Sequence, residues 1–477
     1  MKRIISNFHF LLNTSALIGA VCVFQPVFSQ TNTNLTLEET LNLGLPVVVV
    51  ETINQEEPTC DYVTPPPGAW GAGITNATKV PGRVQVIKKA EGIVFDSGEY
   101  EKGESGMTIK IRGNTSAYDD KKPYKIKLQV KKDMLHRSAE DGKDYRDKDW
   151  LLIKETHLNT LIGFKVNQIM GLQWTPSFEY VNLIFNNDYR GVYMLCEAVG
   201  RNKDCRLNVD KDSGYIAEVD SYWWNEDVYF KSNAGKYFTF KYPDSDDITP
   251  EQIQHFEERI SEFEQSLVNG TYENYIDIDS FTSWLLAHDI LGTWDSGGSN
   301  IYLTLYDLSA EAKLTMANLW DFDSIMKQEA EFARIHTDPF FYYPTLFDYS
   351  DFSSAYHEKW ISVHKMVFQT IKDYINEFAV SEAGNALAAS HPYDKQRWGS
   401  AGKNVTTAAH DAIDWFERRE VWLTDTLSNM GIVSIPNIEE VHAPIANTYD
   451  LFGRKVSTKS NGLLIRNGKL VFVGYHR

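Results

Sequence analysis

The segment MTIKIRGNTSAYDDKKPYKIKL, Met107 to Leu128, alternates, breaks, and alternates again. Met107–Arg112 and Tyr124–Val130 place apolar residues at every second position, the period of a strand with one buried face. Gly113-Asn114-Thr115-Ser116 and the charged run to Pro123 have no such period and read as the loop between the strands. In the second strand Lys125 and Lys127 share one face, and Tyr124, Ile126 and Leu128 share the other. A loop of small residues can turn backbone N–H groups toward phosphate, and a lysine on the next strand can reach it as a point charge. The plainer reading is an edge strand whose lysines face water.

Upstream, Leu45–Thr52 is a β-branched run that predicts a buried strand, 58–82 reads as loop, and 30–44 as a polar linker. Downstream, Leu158–Met170 has helical spacing. Tyr180–Phe185 and Gly191–Cys196 read as a hairpin around Asn186-Asn187-Asp188, and Ile216–Val219 as a short strand. After Pro250 the period lengthens. Helices are predicted over 250–268 and 279–292, strands over Ile301–Tyr306 and Lys313–Leu319, then mostly helix to about 432, including an amphipathic Ala408–Leu427. Leu463–Arg466 and Leu470–Val473 flank Asn467-Gly468, a strong hairpin turn. The fold class is therefore α+β, a β-rich half followed by an α-rich half.

The 477 residues are 43% hydrophobic and 23% charged, which excludes a disordered or fibrous chain and suggests two or three domains. With 47 Lys and Arg against 65 Asp and Glu, the net charge of −18 argues against a whole-surface nucleic-acid binder. Lys2 and Arg3 precede an apolar run from Leu11 to Phe28, and the small residues Val27 and Ser29 stand just before Gln30. This pattern reads as a signal peptide over 1–29, placing the mature chain outside the cytoplasm, secreted or at the cell surface. No later stretch reaches the roughly 20 apolar residues of a spanning helix. Of the remaining cysteines, Cys196 and Cys205 either pair or stay as buried thiols, with Cys60 apart.

Three further groups carry possible chemistry. Trp294-Asp295-Ser296-Gly297-Gly298-Ser299-Asn300 follows an apolar helix and precedes a strand. A carboxylate five residues before an amide is the spacing of a kinase catalytic loop, where Asp orients the acceptor hydroxyl and Asn binds metal. An Asp-Gly turn is the plainer reading. Trp320-Asp321-Phe322-Asp323 closes the next strand, and its oxygen donors suit Mg²⁺ or Mn²⁺. Asp-x-Asp also occurs in enzymes that bind nucleotide sugars, and an acidic surface turn is the plainer alternative. Glu197, at a strand end, can pair with a lysine of the 121–128 strand or line a nucleotide pocket, although such residues usually face solvent. His288 and His410 lie on apolar helical stretches and read as structural.

Taken in order, these motifs resemble the CotH (spore-coat protein H) kinase-like family in its secreted bacterial form. Arg112–Ser116, Lys121–Leu128, Asp147-Lys148-Asp149-Trp150-Leu151-Leu152, Trp174-Thr175-Pro176, Tyr189–Glu197 and Trp320–Asp323 carry the resemblance. A late helix with Trp415, Arg418 and Trp422 completes it, over about 45–430. The resemblance implies an atypical bilobal protein-kinase-like domain over 45–435, with an N-lobe to about 200 and a C-lobe from 201. It implies ATP- and Mg²⁺- or Mn²⁺-dependent transfer of phosphate to Ser or Thr of a protein acceptor. By position, Asp295 is the catalytic-loop carboxylate, and Asp321, Asp323 and Asn300 are metal ligands. Lys125, slightly ahead of Lys127, neutralises phosphate, and Arg112, Asn114, Ser116 and Glu197 line the nucleotide. Two stretches depart from the family pattern: Ser324-Ile325-Met326-Lys327 replaces a Gly-containing turn, and Leu161–Lys165 lacks an Arg-Asn pair. The tail over 436–477 resembles a sorting or surface-attachment segment. Two alternatives stand beside the kinase: an inactive surface or adhesion protein that keeps the fold, and a glycosyltransferase using Asp321 and Asp323.

Overall fold

The computed structural model describes residues 35–154, 158–293, 298–327, 329–331, 341–399 and 403–429, and strand segments within 448–473. The expected signal segment 1–29 lies outside them. Two compact units divide at Glu420/Val421, so the lobe boundary expected near 200 falls inside the first unit.

The described part of the expected linker is a capped turn of helix. In α1 (Leu37–Leu41) the Thr36 hydroxyl accepts from Glu39 N–H, and the Glu39 carboxylate accepts from Thr36 N–H at 2.8 Å. This reciprocal capping stabilises a short helix that would otherwise fray. Leu35 and Leu41 then cover Val47, Ile184 and Tyr189.

The β-rich part comprises β1 (Val47–Thr52), β2 (Asp61–Val63), β3 (Gly73–Thr75), β4 (Val80–Lys88), β5 (Gly92–Asp96), β6 (Met107–Ile111), β7 (Tyr124–Lys132) and β8 (Asp147–Ile153). After α2 (Asn159–Ile169) come β9 (Phe178–Phe185) and β10 (Asp188–Glu197). The expected N-lobe takes the form of a β-barrel. Its ring runs β1-β9-β10-β8-β7-β6-β4, and β4 bonds β1 again, with β5 attached to β4 outside the ring. The β1–β9 seam is parallel, and the other joints are antiparallel. Closure leaves no exposed strand edge within the ring.

Alternation explains the filling. Val48 and Val50, Val84 and Val86, Ile109, Ile126, Trp150 and Leu152, Leu183, and Tyr193 and Leu195 meet inside as one buried cluster. Each such aliphatic or aromatic side chain contributes about 1.5–3 kcal/mol by leaving water. The β9–β10 hairpin turns on Asn186 and Asn187, both at positive φ (49° and 62°), as a two-residue turn matched to strand twist requires.

Beyond the barrel, β11 (Tyr215–Val219), β12 (Tyr229–Lys231), β13 (Tyr237–Tyr242), β14 (Ile301–Leu305) and β15 (Thr315–Met316) form a second sheet, ordered β12-β13-β11-β14-β15. Between β13 and β14 lie α3 (Pro250–Asn269) and α4 (Ile278–Leu291). Phe256 of α3 meets Phe230, Phe238 and Phe240 of the sheet edge-on. The helical remainder is α5 (Tyr343–Leu346), α6 (Ser350–Val380), α7 (Glu382–Trp398) and α8 (Val405–Asn429). The chain is thus α+β, β-rich first and helical later.

In the second unit, β16 (Thr448–Tyr449), β17 (Lys455–Val456), β18 (Gly462–Arg466) and β19 (Lys469–Val473) form a sheet ordered β17-β16-β18-β19. β18 and β19 pair across 467–468.

Candidate active site

The acidic turn after β15 is positioned by side chains far from it in sequence. The strand expected over Lys313–Leu319 is only two residues long, because the chain then bonds elsewhere. Ala317 C=O accepts from Gln173 N–H at 3.1 Å, and Leu319 N–H donates to Asn167 Oδ1 at 2.7 Å. Asn167, buried on α2, also donates Nδ2–H to Trp174 C=O at 2.8 Å and to Thr175 Oγ1 at 2.7 Å. One amide therefore ties the Trp174-Thr175-Pro176 segment to the approach to Trp320.

Alternation then separates this turn into two sides. Trp320 and Phe322 are buried, while Asp321 and Asp323 are exposed. Phe322 meets Phe164 edge-on at 5.3 Å, and its C=O accepts from Asn159 Nδ2 at 3.1 Å. Asp321 has φ 60°, a left-handed conformation that Asp and Asn tolerate better than most residues. Its Oδ1 accepts from Asp323 N–H at 3.3 Å.

Gly163 makes the packing of α2 against this turn feasible. A Cβ there would lie 2.1 Å from Phe322 Cδ1, a collision with the ring. Gly163→Ala is expected to push the ring out, destabilise the fold by about 1–3 kcal/mol and displace Asp321. A thermal melt unchanged from wild type would show that the ring relaxes without strain.

Donor chemistry at the turn fits a hard cation. Two oxygen-bearing side chains on an exposed turn suit Mg²⁺ or Mn²⁺, which one or two carboxylates hold together with substrate phosphate oxygens. Among the described residues no three His, Cys, Asp or Glu side chains converge into an all-protein cage.

Trp294–Gly297, Asp295 among them, lie outside the described residues, but both flanks of that loop are placed. At its start α4 ends on Gly292 (φ 63°), where a Cβ would strike the Trp415 indole at 2.7 Å. At its end Gly298 C=O accepts from Ser221 Oγ at 2.7 Å, and Ser299 Oγ donates to Asp220 Oδ1 at 3.3 Å. Asn300 follows at φ 59° and leads into β14.

The lysine strand lies as its alternation predicts. Tyr124, Ile126 and Leu128 point inward, and Lys125 and Lys127 outward. Lys125 forms an ion pair with Asp149 of β8 at 2.9 Å. Burial opposes ionisation of Asp149, but Lys125, Lys127 and Arg206 together hold its carboxyl below the usual range. Glu197 requires a correction. It is fully buried and takes Arg137 Nη1–H at 2.8 Å and Ser177 N–H at 2.9 Å, not a lysine of β7. Its strand ends beneath the 133–137 turn, so the guanidinium there reaches it first.

The Arg112–Ser116 loop is folded rather than open. Residues Thr115–Tyr118 form a 3₁₀ turn. Asn114 Oδ1 accepts from Asn225 Nδ2 at 3.4 Å, Thr115 Oγ1 bonds Tyr222 OH at 2.8 Å, and Ser116 C=O accepts from Lys154 Nζ at 2.9 Å. Those contacts dock Asn114, Thr115 and Ser116 on the protein itself through side-chain and carbonyl oxygens.

A buried polar group lies on the neighbouring sheet. Glu218 of β11 pairs with Lys241 of β13 at 2.9 Å. Burial nevertheless pushes the Glu218 carboxyl up to about 7, with Asp220 and Glu226 adding to the rise. Burial, Glu218 and Asp220 raise Tyr302 well above the ordinary phenol, while Arg112 acts in the opposite sense.

The family model described as CotH kinase protein matches residues 109–423. The chain belongs to the CotH kinase family. No curated protein matches it. The matched span takes in the lysine strand, the 294–300 loop, the acidic turn and most of α8 of this CotH family member.

Several positioning groups in this CotH chain escaped the sequence reading. Asp220 and Ser221 stand directly after the Ile216–Val219 strand, and only the tertiary fold shows what they hold. Asn167 sits mid-helix, where an amide is a poor helix former, a weak signal of a tertiary role. Arg419 of α8, next to the quoted Arg418, is fully buried and donates to Asp289 C=O at 2.9 Å and Ala330 C=O at 2.7 Å. His288 is buried against Trp284, and burial lowers it to about 3, so it stays neutral. His410 differs from expectation, lying on the exposed side of α8. Cys196 and Cys205 are free thiols, and burial raises both.

Proposed function

We propose that this CotH family chain is an exported protein kinase that transfers the γ-phosphoryl group of ATP to Ser or Thr of a protein acceptor. The observation that carries the reading is the acidic turn. Asp321 and Asp323 face outward from a buried Trp320/Phe322 footing, beyond a loop whose end is pinned by Asp220 and Ser221. A divalent ion, when bound, would supply charge neutralisation at the phosphates. Asp321 and Asp323 would hold it, with Asn300 completing the set. Asp295 orients the acceptor hydroxyl and takes its proton. Lys125 offsets phosphate charge, and its Asp149 partner fixes where the ammonium points. Catalysis of this kind is positioning plus electrostatic stabilisation. The basic start, apolar run and small residues before Gln30 support export, and the tail over 436–477 suits a role in surface attachment. No described helix is long and apolar enough to cross a membrane.

The test is a thermal melt of residues 30–477 with ATP plus Mg²⁺ or Mn²⁺, against metal alone. Ligand at 100 times its dissociation constant should stabilise by about 2.7 kcal/mol. A metal-dependent shift that Asp321→Asn loses supports the reading. No shift with any nucleotide would overturn it and favour the non-catalytic surface protein. Preference for a nucleotide sugar would favour the glycosyltransferase.

A further inference from the structure

The outer face of β6 and β7 carries a second ammonium group. Lys110 stands directly across from Lys125 in the β6–β7 register. Both project outward because Ile109, Ile111, Tyr124 and Ile126 fill the barrel. Like charges opposite one another on neighbouring strands oppose pairing. The position is less favourable still because Lys110 is half-buried. Its proton affinity is lowered first by that burial, then by Lys125 and Lys79.

Nearby carboxylates do not relieve this. Asp149 is engaged by Lys125 at 2.9 Å, and it reaches Lys110, as Glu226 does, only through longer-range attraction. Among the described residues the Lys110 ammonium forms no hydrogen bond or ion pair. Lys127 on the same face is exposed and opposite Asp149 in register, so it does not share the problem. Two adjacent ammonium groups, one half-buried and unpaired, make a surface short of negative charge. An oxyanion would supply that charge, and charge-assisted hydrogen bonds of this type are the strong ones.

We propose that Lys110 and Lys125 form a two-amine seat for a polyphosphate chain, with Lys110 the contact beyond the reach of Lys125. The seat rests on the nucleotide reading only for the source of the phosphate, so nucleoside triphosphate and free polyphosphate are separate arms of the test. Wild type, Lys110→Met and Lys110→Arg are titrated calorimetrically with ATP, adenosine and inorganic tripolyphosphate at low salt. Met keeps the stem and removes the charge. Lys110→Met should weaken ATP and tripolyphosphate about tenfold to a hundredfold, the loss of one charge-assisted contact, and leave adenosine unchanged. Lys110→Arg should restore most of the affinity.

A second readout separates binding from a merely structural role. A polyanion seated on Lys110 favours its protonated form against burial, Lys79 and Lys125, with Glu226 and Asp149 already acting in that direction. Binding in alkaline buffer should therefore take up protons, seen as a buffer-dependent heat, and Lys110→Met should abolish that uptake. The same variant should melt no lower than wild type, since it removes a like-charge pair. If tripolyphosphate binds through Lys110 but ATP has no advantage over it, the seat stands and the nucleotide reading falls. If ATP binds wild type and Lys110→Met equally, the seat is overturned and the nucleotide reading stands. If wild type binds none of the three probes, the seat is overturned as well.

Discussion

Asp321→Asn should lower phosphoryl transfer by about 10²–10³-fold while leaving the fold intact. Asn is the informative replacement because Asp321 sits at φ 60°, where Ala would add backbone strain and confuse the result. The side chain is exposed, and its footing on Phe322 and Phe164 is untouched, so the melting temperature should move little. What changes is the charge available to a hard cation. Radiolabel transfer from ATP to a Ser/Thr-rich protein, with Asp295→Ala alongside, measures the effect. Unchanged transfer in Asp321→Asn would remove Asp321 from the metal role, and unchanged transfer in Asp295→Ala would remove Asp295 from catalysis.

Asp394→Ala should destabilise the protein by about 3–5 kcal/mol. Asp394 is fully buried at the α7–β10 junction, where Oδ1 lies 2.6 Å from Lys121 Nζ and accepts from Val192 N–H at 2.8 Å. Removing it leaves the buried Lys121 ammonium without its carboxylate and Val192 N–H without its acceptor. Gly191 (φ 87°) is part of the same construction, since a Cβ there would collide with the Asp394 carboxylate. The Arg397–Asp188 pair, at 2.8 and 2.6 Å, and the Trp398 Nε1 bond to Arg190 C=O at 2.8 Å dock the rest of α7. Urea unfolding gives the measurement, and a loss below about 1 kcal/mol would contradict the argument. A Lys121→Met/Asp394→Leu pair should recover much of the loss, because replacing both buried charges avoids leaving one unpaired.

Met107–Ile111 and Tyr124–Leu128 were legible from their two-residue period because each has one face in the barrel, Val47–Thr52 from its β-branched run, and the β9–β10 hairpin from Asn186-Asn187-Asp188. The ring itself was not legible. It depends on β4 bonding β1 on one side and both β6 and β5 on the other, which alternation cannot encode. Within the expected linker, the polar residues around the capping box gave no sign of the short helix that Leu35 and Leu41 seat on an apolar surface. The inward and outward faces of β7 were readable from spacing, while Asp321 and Asp323 were singled out by motif order alone. Glu197 was misassigned because its partner, Arg137, comes from a turn with no periodic signal. Lys110 was overlooked because a lysine in an alternating strand looks like ordinary surface until its cross-strand neighbour is known. Ser221, Asn167 and Arg419 act on backbone groups of distant segments and Asp220 on the distant Ser299 hydroxyl, and no local pattern announces such contacts.

The parallel β1–β9 seam also sets an order of assembly. β1 is among the first strands made, yet its partner arrives with Asn182–Phe185, and the Thr52 N–H bond to Asn186 Oδ1 spans 134 residues. Closing a loop of that length carries an entropy penalty of order 4 kcal/mol, incurred before the interior residues can meet. Until β9 and β10 emerge, β1 and β8 remain open edges, each able to capture another chain. A chain interrupted anywhere before Glu197 therefore lacks the staves that complete the cask, and it should be the aggregation-prone species during synthesis.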